Sequence, residues 1–319
     1  MSGSLADIGE FGLIGRITAG LPTADHVHLG PGDDAAVLAS SDGRTVVSVD
    51  LLVEGRHFRR DWSTPIEIGR KAAAVAMADI SAMGAEPTAL VVGFGAPSDL
   101  PAAWASACTA GLVEEAVSAG AMLVGGDVVE APQIVLSITV IGDLHGRAPV
   151  LRSGARPGNV VAVAGRLGWA AAGLAMLSRG FRAPKVLVEA QRCPQPPYAA
   201  GPAAAVAGAT SMIDVSDGLI ADARHIAQDS GVTLALDSSA LEIPEPLATA
   251  ASAFTMDART WIFQGGEDHA LLATFPPAAT LPDGFVRIGR VEECGSDGAQ
   301  VSVDGAVIRT AGGHQHFSG

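Results

Sequence analysis

Lysine is almost absent from this chain, and its two lysines, Lys71 and Lys185, do not follow glycine-rich loops. A P-loop requires a lysine directly after its glycines, so this class of nucleotide site is excluded. No GxGxxG motif opens a helix after a strand, which leaves a Rossmann dinucleotide site without support. If the protein binds phosphate groups, metal ions must therefore supply much of the positive charge.

Cysteine and long apolar runs are also scarce. The three cysteines, Cys108, Cys193 and Cys294, form no CxxC pair, which suits a reducing cytoplasm. The first residues lack the basic and apolar regions of a signal peptide. No apolar run reaches the length of a membrane span without a charge or a glycine break. We therefore expect a cytoplasmic enzyme with no membrane partner.

Basic residues are outnumbered, and the net charge is −14. Nucleic acids select basic surfaces, so this charge argues against a nucleic-acid partner. A nucleotide partner remains compatible with it, because bound metal ions can invert the local electrostatic field.

Aspartate, by contrast, is placed in a distinctive way. Six aspartates lie in short glycine-rich or polar motifs rather than on ordinary solvated faces. They are Asp34, Asp50, Asp79, Asp127, Asp214 and Asp217. Gathered in one cleft, these carboxylates would repel one another unless hard cations lay between them. Proteins usually hold such cations in order to bind polyphosphates, so the pattern predicts Mg²⁺-dependent phosphoryl transfer.

Two of these aspartates are poorly explained as surface residues. Asp50 interrupts the apolar stretch 45–53, which is typical of a buried strand, where aspartate is disfavoured and a lone carboxylate is costly. Asp79 falls near the end of a helix that begins at the capping box 64–67, where the helix dipole is negative. A bound cation would resolve both conflicts.

Other motifs have a plain structural alternative. The Gly-Gly-Asp motif ending at Asp127 follows the predicted strand 121–124 and is expected to form a turn; it either approaches a phosphate or is an ordinary glycine turn. Asp214 opens Asp-Val-Ser-Asp-Gly at a strand-to-helix junction. Ser216 and Asp217 are common helix-capping residues, yet a helix N-terminus is also an anion site.

The alternation of strand and helix patterns in these 319 residues predicts an α/β protein of the α+β type with two domains, 1–148 and 149–319. Helices are expected at 8–19, 64–83, 101–120, 169–179, 200–208 and 217–230. Strands are expected at 45–53, 88–95, 121–124, 133–142, 159–164, 210–214, 232–236, 270–275, 285–291 and 299–303. The stretches 194–197 and 237–260 give no clear pattern.

Nine segments, in this order, resemble the thiamine-monophosphate kinase family. That family belongs with aminoimidazole-ribotide synthetase, selenide-water dikinase and the hydrogenase-maturation dehydratase. The segments are GEFGLI (9–14), GPGDDAAV (30–37), SVDLLVEGRHF (48–58), DW (61–62), GRKAAAVAMADISAMGAEP (69–87), GGD (125–127), LRSGARPG (151–158), IDVSDGLIAD (213–222) and GGEDHALL (265–272). One such motif would be weak, but nine in register from residue 9 onward are specific.

The resemblance implies an architecture and an activity. It implies a mixed-sheet N-terminal domain that binds ATP and Mg²⁺ and pairs with its twin in a homodimer barrel. A C-terminal α/β sandwich domain would complete the active site. The implied reaction is ATP-dependent phosphorylation of thiamine monophosphate to thiamine diphosphate.

The resemblance also implies roles for individual residues. Positions that hold Mg²⁺ are Asp34, Ser48, Val49 (through its carbonyl), Asp50, Asp79, Asp127, Asp214 and Asp217. Positions that contact the nucleotide are Gly126, Asp127, Arg152 and Ser216. Positions that contact thiamine are His57, Glu267 and His314, the last where the family usually carries an aromatic residue. No catalytic side chain is expected, because the phosphate acceptor, with a second pKa of about 6, is already ionised.

Two other functions compete with this one. Aminoimidazole-ribotide synthetase is the runner-up within the superfamily, although the DVSDGL, GGED and VDLLVEGRHF text favours the thiamine enzyme. The other superfamily members rely on a reactive cysteine or selenocysteine in a terminal segment, and this chain has no cysteine there. A non-catalytic dimer that binds metal and nucleotide is the alternative from a different class.

Overall fold

A computed structural model describes residues 4–31, 36–296 and 298–308. The chain divides into two compact units. The N-terminal unit comprises residues 1–80 and 85–146, and the C-terminal unit comprises residues 81–84 and 147–319. Each unit combines helices with a mixed sheet, so the predicted α/β class is confirmed.

The N-terminal unit contains three helices and six strands in its described part. The helices are α1 (Leu5–Thr18), α2 (Pro65–Ala82) and α3 (Ala102–Ser118). The strands are β1 (Val27–Leu29), β2 (Val37–Leu38), β3 (Val46–Val53), β4 (Glu86–Ala96), β5 (Met122–Glu130) and β6 (Val135–Asp143). The main sheet has the order β3-β6-β4-β5, in which only β4 and β5 are parallel.

Helix α2 begins at the capping box that the sequence predicts. The main-chain N–H of Thr64 donates to the Glu67 carboxylate at 2.7 Å, and the N–H of Glu67 donates to the Thr64 hydroxyl at 3.3 Å. Pro65 occupies the first helical position, where its missing N–H removes no hydrogen bond. Gly84, at φ +74°, follows the end of the helix in the left-handed conformation that glycine tolerates.

Two glycines bring α2 and α3 into main-chain contact. A Cβ atom on Gly69 would lie 1.8 Å from the carbonyl oxygen of Cys108, and one on Gly111 would lie 2.1 Å from that of Ile66. Helix α2 also packs on the sheet, since a Cβ atom on Gly142 of β6 would lie 2.3 Å from a methyl group of Ile80. These contacts fix α2 against one face of the sheet.

The opposite face of β3 carries apolar side chains that the other described residues leave largely exposed. Val47, Val49 and Leu51 are 58%, 56% and 54% exposed. They alternate with Ser48 and Asp50, which point to the α2 side and are half-buried. An open apolar face of this size usually marks an interaction surface.

The C-terminal unit is built on one large sheet. Its helices are α4 (Trp169–Ser178), α5 (Lys185–Arg192), α6 (Ala200–Val206), α7 (Leu219–Ser230), α8 (Glu245–Ala253) and α9 (Arg259–Gln264). Its strands are β7 (Val160–Ala164), β8 (Ser211–Val215), β9 (Thr233–Leu236), β10 (Ala270–Phe275), β11 (Phe285–Glu292), β12 (Gln300–Val303) and β13 (Ala306–Val307). The order is β13-β12-β9-β11-β7-β10-β8, and β9 with β12 is its parallel pair.

Most predicted elements are confirmed within a few residues, and three differences stand out. Strand β5 does not end at Val124 but continues to Glu130, so the predicted Gly-Gly-Asp turn is wrong. Helix α5 lies where no helix was predicted. The stretch 237–260 contains α8 and the start of α9.

Within the described residues, the helices are all too short or too polar to cross a membrane.

Candidate functional site

In the N-terminal unit, three predicted metal ligands are placed by β3 and α2. Ser48 and Asp50 lie on the same face of β3, the face that α2 covers. Asp79, half-buried in the last turn of α2, accepts a hydrogen bond of 2.5 Å from the Ser48 hydroxyl. Strand and helix therefore bring a hydroxyl and a carboxylate within hydrogen-bond distance of each other.

Gly126 and Asp127 lie within a strand rather than in a turn. Gly126 is opposite Val92 of β4, and Asp127 is opposite Gly93. A Cβ atom on Gly126 would lie 2.3 Å from the carbonyl oxygen of Val92, so the pairing of the two strands requires glycine here. Asp127 is exposed, and its carboxylate accepts a local bond of 2.9 Å from the N–H of Val128.

An apolar cavity of about 760 Å³ adjoins Gly126 and Asp127. Side chains of α1 and α3 line it, including Leu13, Ile17 and Leu112. Sequence reasoning missed this cavity, because apolar residues at helical spacing indicate a packed core equally well.

Cys108 also lines the cavity. Burial raises the pKa of its thiol to about 12, so this cysteine stays neutral and is a poor nucleophile.

His57 lies in the turn that follows β3. The main-chain N–H of Val53 donates to its Nδ1 atom at 3.0 Å. Nδ1 is therefore an acceptor, and in the neutral ring Nε2 carries the proton. The ring is half-buried and is held by the turn itself.

In the C-terminal unit, the Asp-Val-Ser-Asp-Gly and Gly-Gly-Glu-Asp motifs lie side by side. Strands β8 and β10 are antiparallel, with Ala270 opposite Val215. Beyond this pair, the N–H of Glu267 donates to the carbonyl oxygen of Ser216 at 2.8 Å. A Cβ atom on Gly266 would lie 2.1 Å from the same oxygen, so glycine is required for this approach. The structure thus joins a predicted nucleotide residue to a predicted substrate residue.

The main chain of the Asp-Val-Ser-Asp-Gly segment donates hydrogen bonds to the side chain of Asp222 in α7. The Oδ2 atom of Asp222 accepts from the N–H groups of Asp217 and Gly218, both at 3.0 Å. Burial raises the pKa of Asp222 to about 7, and the negative charge of Asp214 adds to that effect. Asp222 was not predicted as a site residue, because the helical pattern gives no sign of this bond.

Glu267 has an unusual backbone and a polar neighbour. Its φ of +67° is in the left-handed region, which non-glycine residues rarely adopt. Gln191 of α5 is buried, and its Nε2 donates to the Glu267 carboxylate at 3.4 Å. Glu267 is half-buried, so its carboxylate is still partly accessible.

Asp268 turns the other way, into the core. Its Oδ1 atom accepts from the N–H of Ala170 at 2.9 Å, at the N-terminus of α4. Burial raises the pKa of Asp268 to about 7, although main-chain N–H groups oppose the shift. The two acids of the motif therefore have different surroundings. Glu267 is partly accessible to solvent, whereas Asp268 is buried and hydrogen-bonded to the start of α4.

Arg152 lies on an exposed segment beside β8. The preceding residue, Leu151, accepts from the N–H of Met212 at 3.0 Å, and the Arg152 carbonyl accepts from the Ser230 hydroxyl at 3.3 Å. The main chain is thus held, whereas the Arg152 side chain is exposed.

The donor atoms suit Mg²⁺, because carboxylate and hydroxyl oxygens are the ligands this hard cation prefers. In residues 4–31, 36–296 and 298–308, no three side chains of His, Cys, Asp or Glu lie close enough to hold a metal ion. Mg²⁺ bound here would therefore need main-chain, hydroxyl, water or substrate oxygens as well, which is its common behaviour. Asp34 and His314 were also predicted as site residues, and both lie outside the described residues.

Comparisons with known proteins agree on one family. The model of the family "AIR synthase related protein, N-terminal domain" matches residues 32–144. The thiamine-monophosphate kinase of Mycobacterium tuberculosis is 52% identical over 318 residues, covering 99% of this chain and 94% of that protein. The enzyme of Corynebacterium glutamicum is 42% identical over 297 residues, covering 90% and 87%.

The fold agrees as well. A solved structure of AaThiL complexed with AMPPCP and TMP is similar with a TM-score of 0.80 and 31% identity. The similarity covers 97% of each chain.

Proposed function

The chain belongs to the thiamine-monophosphate kinase family, and we propose that it transfers the γ-phosphoryl group of ATP to thiamine monophosphate, forming thiamine diphosphate. The observation that carries this proposal is the bond between Glu267 N–H and Ser216 O at 2.8 Å. It supports the proposal because Glu267, an acid that would suit a cationic substrate, adjoins Ser216, which belongs to a loop that would suit a phosphate.

The reaction needs little covalent chemistry from the protein. The terminal phosphate of thiamine monophosphate is ionised near neutral pH and attacks the γ-phosphorus in line, with ADP as the leaving group. No general base is required. The chain must hold two anions in register, and bound Mg²⁺ supplies the charge that neutralises them.

Metal binding is assigned to oxygen atoms of each unit. The N-terminal unit contributes Asp34, Ser48, the Val49 carbonyl, Asp50, Asp79 and Asp127, and the C-terminal unit contributes Asp214 and Asp217. The hydrogen bond between Ser48 and Asp79 supports the first group. The hydrogen bond from the Asp217 N–H to the Asp222 carboxylate supports the second.

Nucleotide binding is assigned to Gly126, Asp127, Arg152 and Ser216. The apolar cavity next to Gly126 is large enough for a purine base, and its aliphatic lining suits the faces of such a ring. Ser216 comes three residues before α7, and the N-terminus of a helix favours an anion.

Thiamine monophosphate binding is assigned to His57, Glu267 and His314. A carboxylate at 267 favours the positive thiazolium ring and accepts from the aminopyrimidine. The Nε2 atom of His57 is a donor in the neutral ring, which suits a phosphate oxygen.

The enzyme is further proposed to be a cytoplasmic homodimer, formed when the apolar face of β3 closes a barrel with its copy. The exposure of Val47, Val49 and Leu51 supports this assembly.

The experiment that tests the function incubates the protein with ATP, Mg²⁺ and thiamine monophosphate and separates the products by chromatography. Thiamine diphosphate and ADP should appear in equal amounts, and EDTA should stop the reaction until Mg²⁺ is restored. ADP formation that does not depend on thiamine monophosphate would favour another enzyme of the superfamily. Nucleotide binding without turnover would favour the non-catalytic alternative.

A further inference from the structure

His269 is a buried histidine that the proposed reaction does not use. Its side chain is 5% exposed, and that of Asp214 is 8% exposed. The Nδ1 atom of His269 lies 3.0 Å from Oδ2 of Asp214. A carboxylate oxygen accepts hydrogen bonds, so the proton of this bond is assigned to Nδ1 of His269.

The main chain fixes this ring in place. His269 directly precedes β10, and its N–H donates to the carbonyl oxygen of Val215 at 3.1 Å. Its φ is +54°, a left-handed conformation that is uncommon for residues other than glycine. A residue held in a rare conformation by its surroundings, with its donor on a predicted metal ligand, suggests a role beyond filling the core.

The carboxylate that receives this bond is in a crowded acidic setting. Asp217 follows Asp214 by three residues, and the main-chain N–H of Asp217 donates to Oδ2 of Asp222 at 3.0 Å. The hydrogen bond with His269 restrains Oδ2 of Asp214.

We propose that His269 is a positioning residue for metal binding: it holds Oδ2 of Asp214 so that Oδ1 is presented to a divalent cation. The inference rests on the proposed role of Asp214 as a metal ligand. Donors behind a metal ligand typically change metal affinity ten- to a hundredfold when they are removed.

The test compares two substitutions that differ in the donor. His269→Asn places an amide N–H near the position of Nδ1 and suits a positive φ, whereas His269→Leu has no donor. Binding of Mn²⁺ to each protein, without nucleotide or substrate, is followed by the EPR signal of free Mn²⁺. Asp214→Asn identifies which binding event depends on Asp214. The Mg²⁺ concentration for half-maximal thiamine diphosphate formation is measured in parallel.

Ten- to a hundredfold weaker Mn²⁺ binding in His269→Leu, restored to within about threefold in His269→Asn, is the expected result. The half-maximal Mg²⁺ concentration should rise in the same order. Unchanged Mn²⁺ affinity in His269→Leu, with only a lower melting temperature, would show that His269 is a core residue and overturn the proposal. Equal losses in both variants would also overturn it.

Two controls keep the outcomes separate. If Asp214→Asn leaves Mn²⁺ binding unchanged, the assignment of Asp214 as a ligand fails, and the inference about His269 falls with it. If Asp214→Asn removes a binding event that His269→Leu retains, only the inference fails. Should His269→Leu not fold, His269→Gln replaces it, because its amide lies one bond farther from the main chain and cannot occupy the Nδ1 position.

Discussion

At the scale of single residues, other side chains contact the candidate ligands: Ser48 donates to Asp79, and His269 lies 3.0 Å from Asp214. Asp50, Asp79 and Asp214 are conspicuous because acids in apolar segments are unusual. Asp268 gives no comparable signal, since its partner, the N–H of Ala170, lies far away in the sequence. Only the fold shows that Glu267 is partly accessible and that Asp268 is buried.

Removal of charge at Asp50 or Asp79 tests the metal assignment. Asp50→Asn and Asp79→Asn keep the size of the side chain and should each lower the rate by orders of magnitude, because metal charge stabilises the transferring phosphoryl group. Without metal, the free energy of unfolding of Asp79→Asn should be about 0.3–1 kcal/mol higher than that of the parent, because the negative charge at the end of α2 is removed. Steady-state kinetics and urea unfolding measure the two effects.

Asp99, an exposed acid in the same unit, provides the matched control for those substitutions. Asp99→Asn should leave the rate unchanged. Near-normal turnover of both Asp50→Asn and Asp79→Asn would contradict the metal assignment.

Glu267→Gln tests the substrate assignment. Loss of a charge-assisted hydrogen bond should weaken thiamine monophosphate binding by roughly 1.5–3 kcal/mol, or about ten- to a hundredfold in Kd, with a smaller effect on ATP. Calorimetric titration with each ligand separately makes the comparison, and the exposed Glu242→Gln is the control. An equal loss for both ligands would mean that Glu267 supports the fold or the metals instead.

The raised pKa of Asp268 predicts that the free energy of unfolding depends on pH. Its pKa is about 7 in the folded protein against an ordinary value of 3.8, so the folded state keeps a proton that the unfolded state releases between these values. The free energy of unfolding should therefore fall as pH rises from about 4 to 7 and level off above it. Asp268→Asn should remove roughly 2–4 kcal/mol of that fall.

Urea unfolding at several pH values measures the difference between Asp268→Asn and the parent, so other titrating groups cancel. Asp283→Asn, at an exposed site, should retain the slope of the parent. Identical slopes in the parent and in Asp268→Asn would show that Asp268 is ionised in the folded protein.

At the scale of elements, the sequence predicts what has a clear period and misses what depends on packing. Helix α2 has a capping box and a long apolar face, and its bounds are predicted closely. Helix α5 has only eight residues, and its contact with α4 is close: a Cβ atom on Gly173 would lie 2.0 Å from the carbonyl oxygen of Leu187. Tertiary contact, rather than local pattern, explains this helix.

Strand β5 shows the opposite error. Two glycines normally indicate a turn, yet here they continue a strand, because Gly126 must approach the Val92 carbonyl closely. The sequence shows that a side chain is missing, but not which neighbour requires its absence. The functional expectation for Gly126 and Asp127 does not depend on the turn and remains a prediction.

At the scale of the whole molecule, the open face of β3 predicts assembly. The sequence resemblance implies a homodimer, and the structure leaves Val47, Val49 and Leu51 more than half exposed. Coverage of this face requires a second copy of the chain, so it is a property of two molecules rather than of one folded chain.

Leu51→Lys tests the dimer. A lysine in the centre of an apolar interface loses its hydration, so the substitution should convert a homodimer into a monomer. Analytical ultracentrifugation at micromolar concentration measures the mass. Val206→Lys alters an apolar residue that is 75% exposed in the C-terminal unit and should leave the mass unchanged. A parent protein that is monomeric and fully active would refute the homodimer.

The contact between α2 and α3 has a consequence for how this protein can vary. Side chains between two helices usually form an adjustable layer, in which a change of rotamer absorbs a change of sequence. At Gly69 and Gly111 that layer is missing, and main chain touches main chain. A contact between main-chain atoms, which cannot adjust by changing rotamer, therefore sets the position of α2 and of its residue Asp79. Drift elsewhere in the core can be accommodated, whereas these two glycines, with no ligand assigned to either, tolerate no other amino acid.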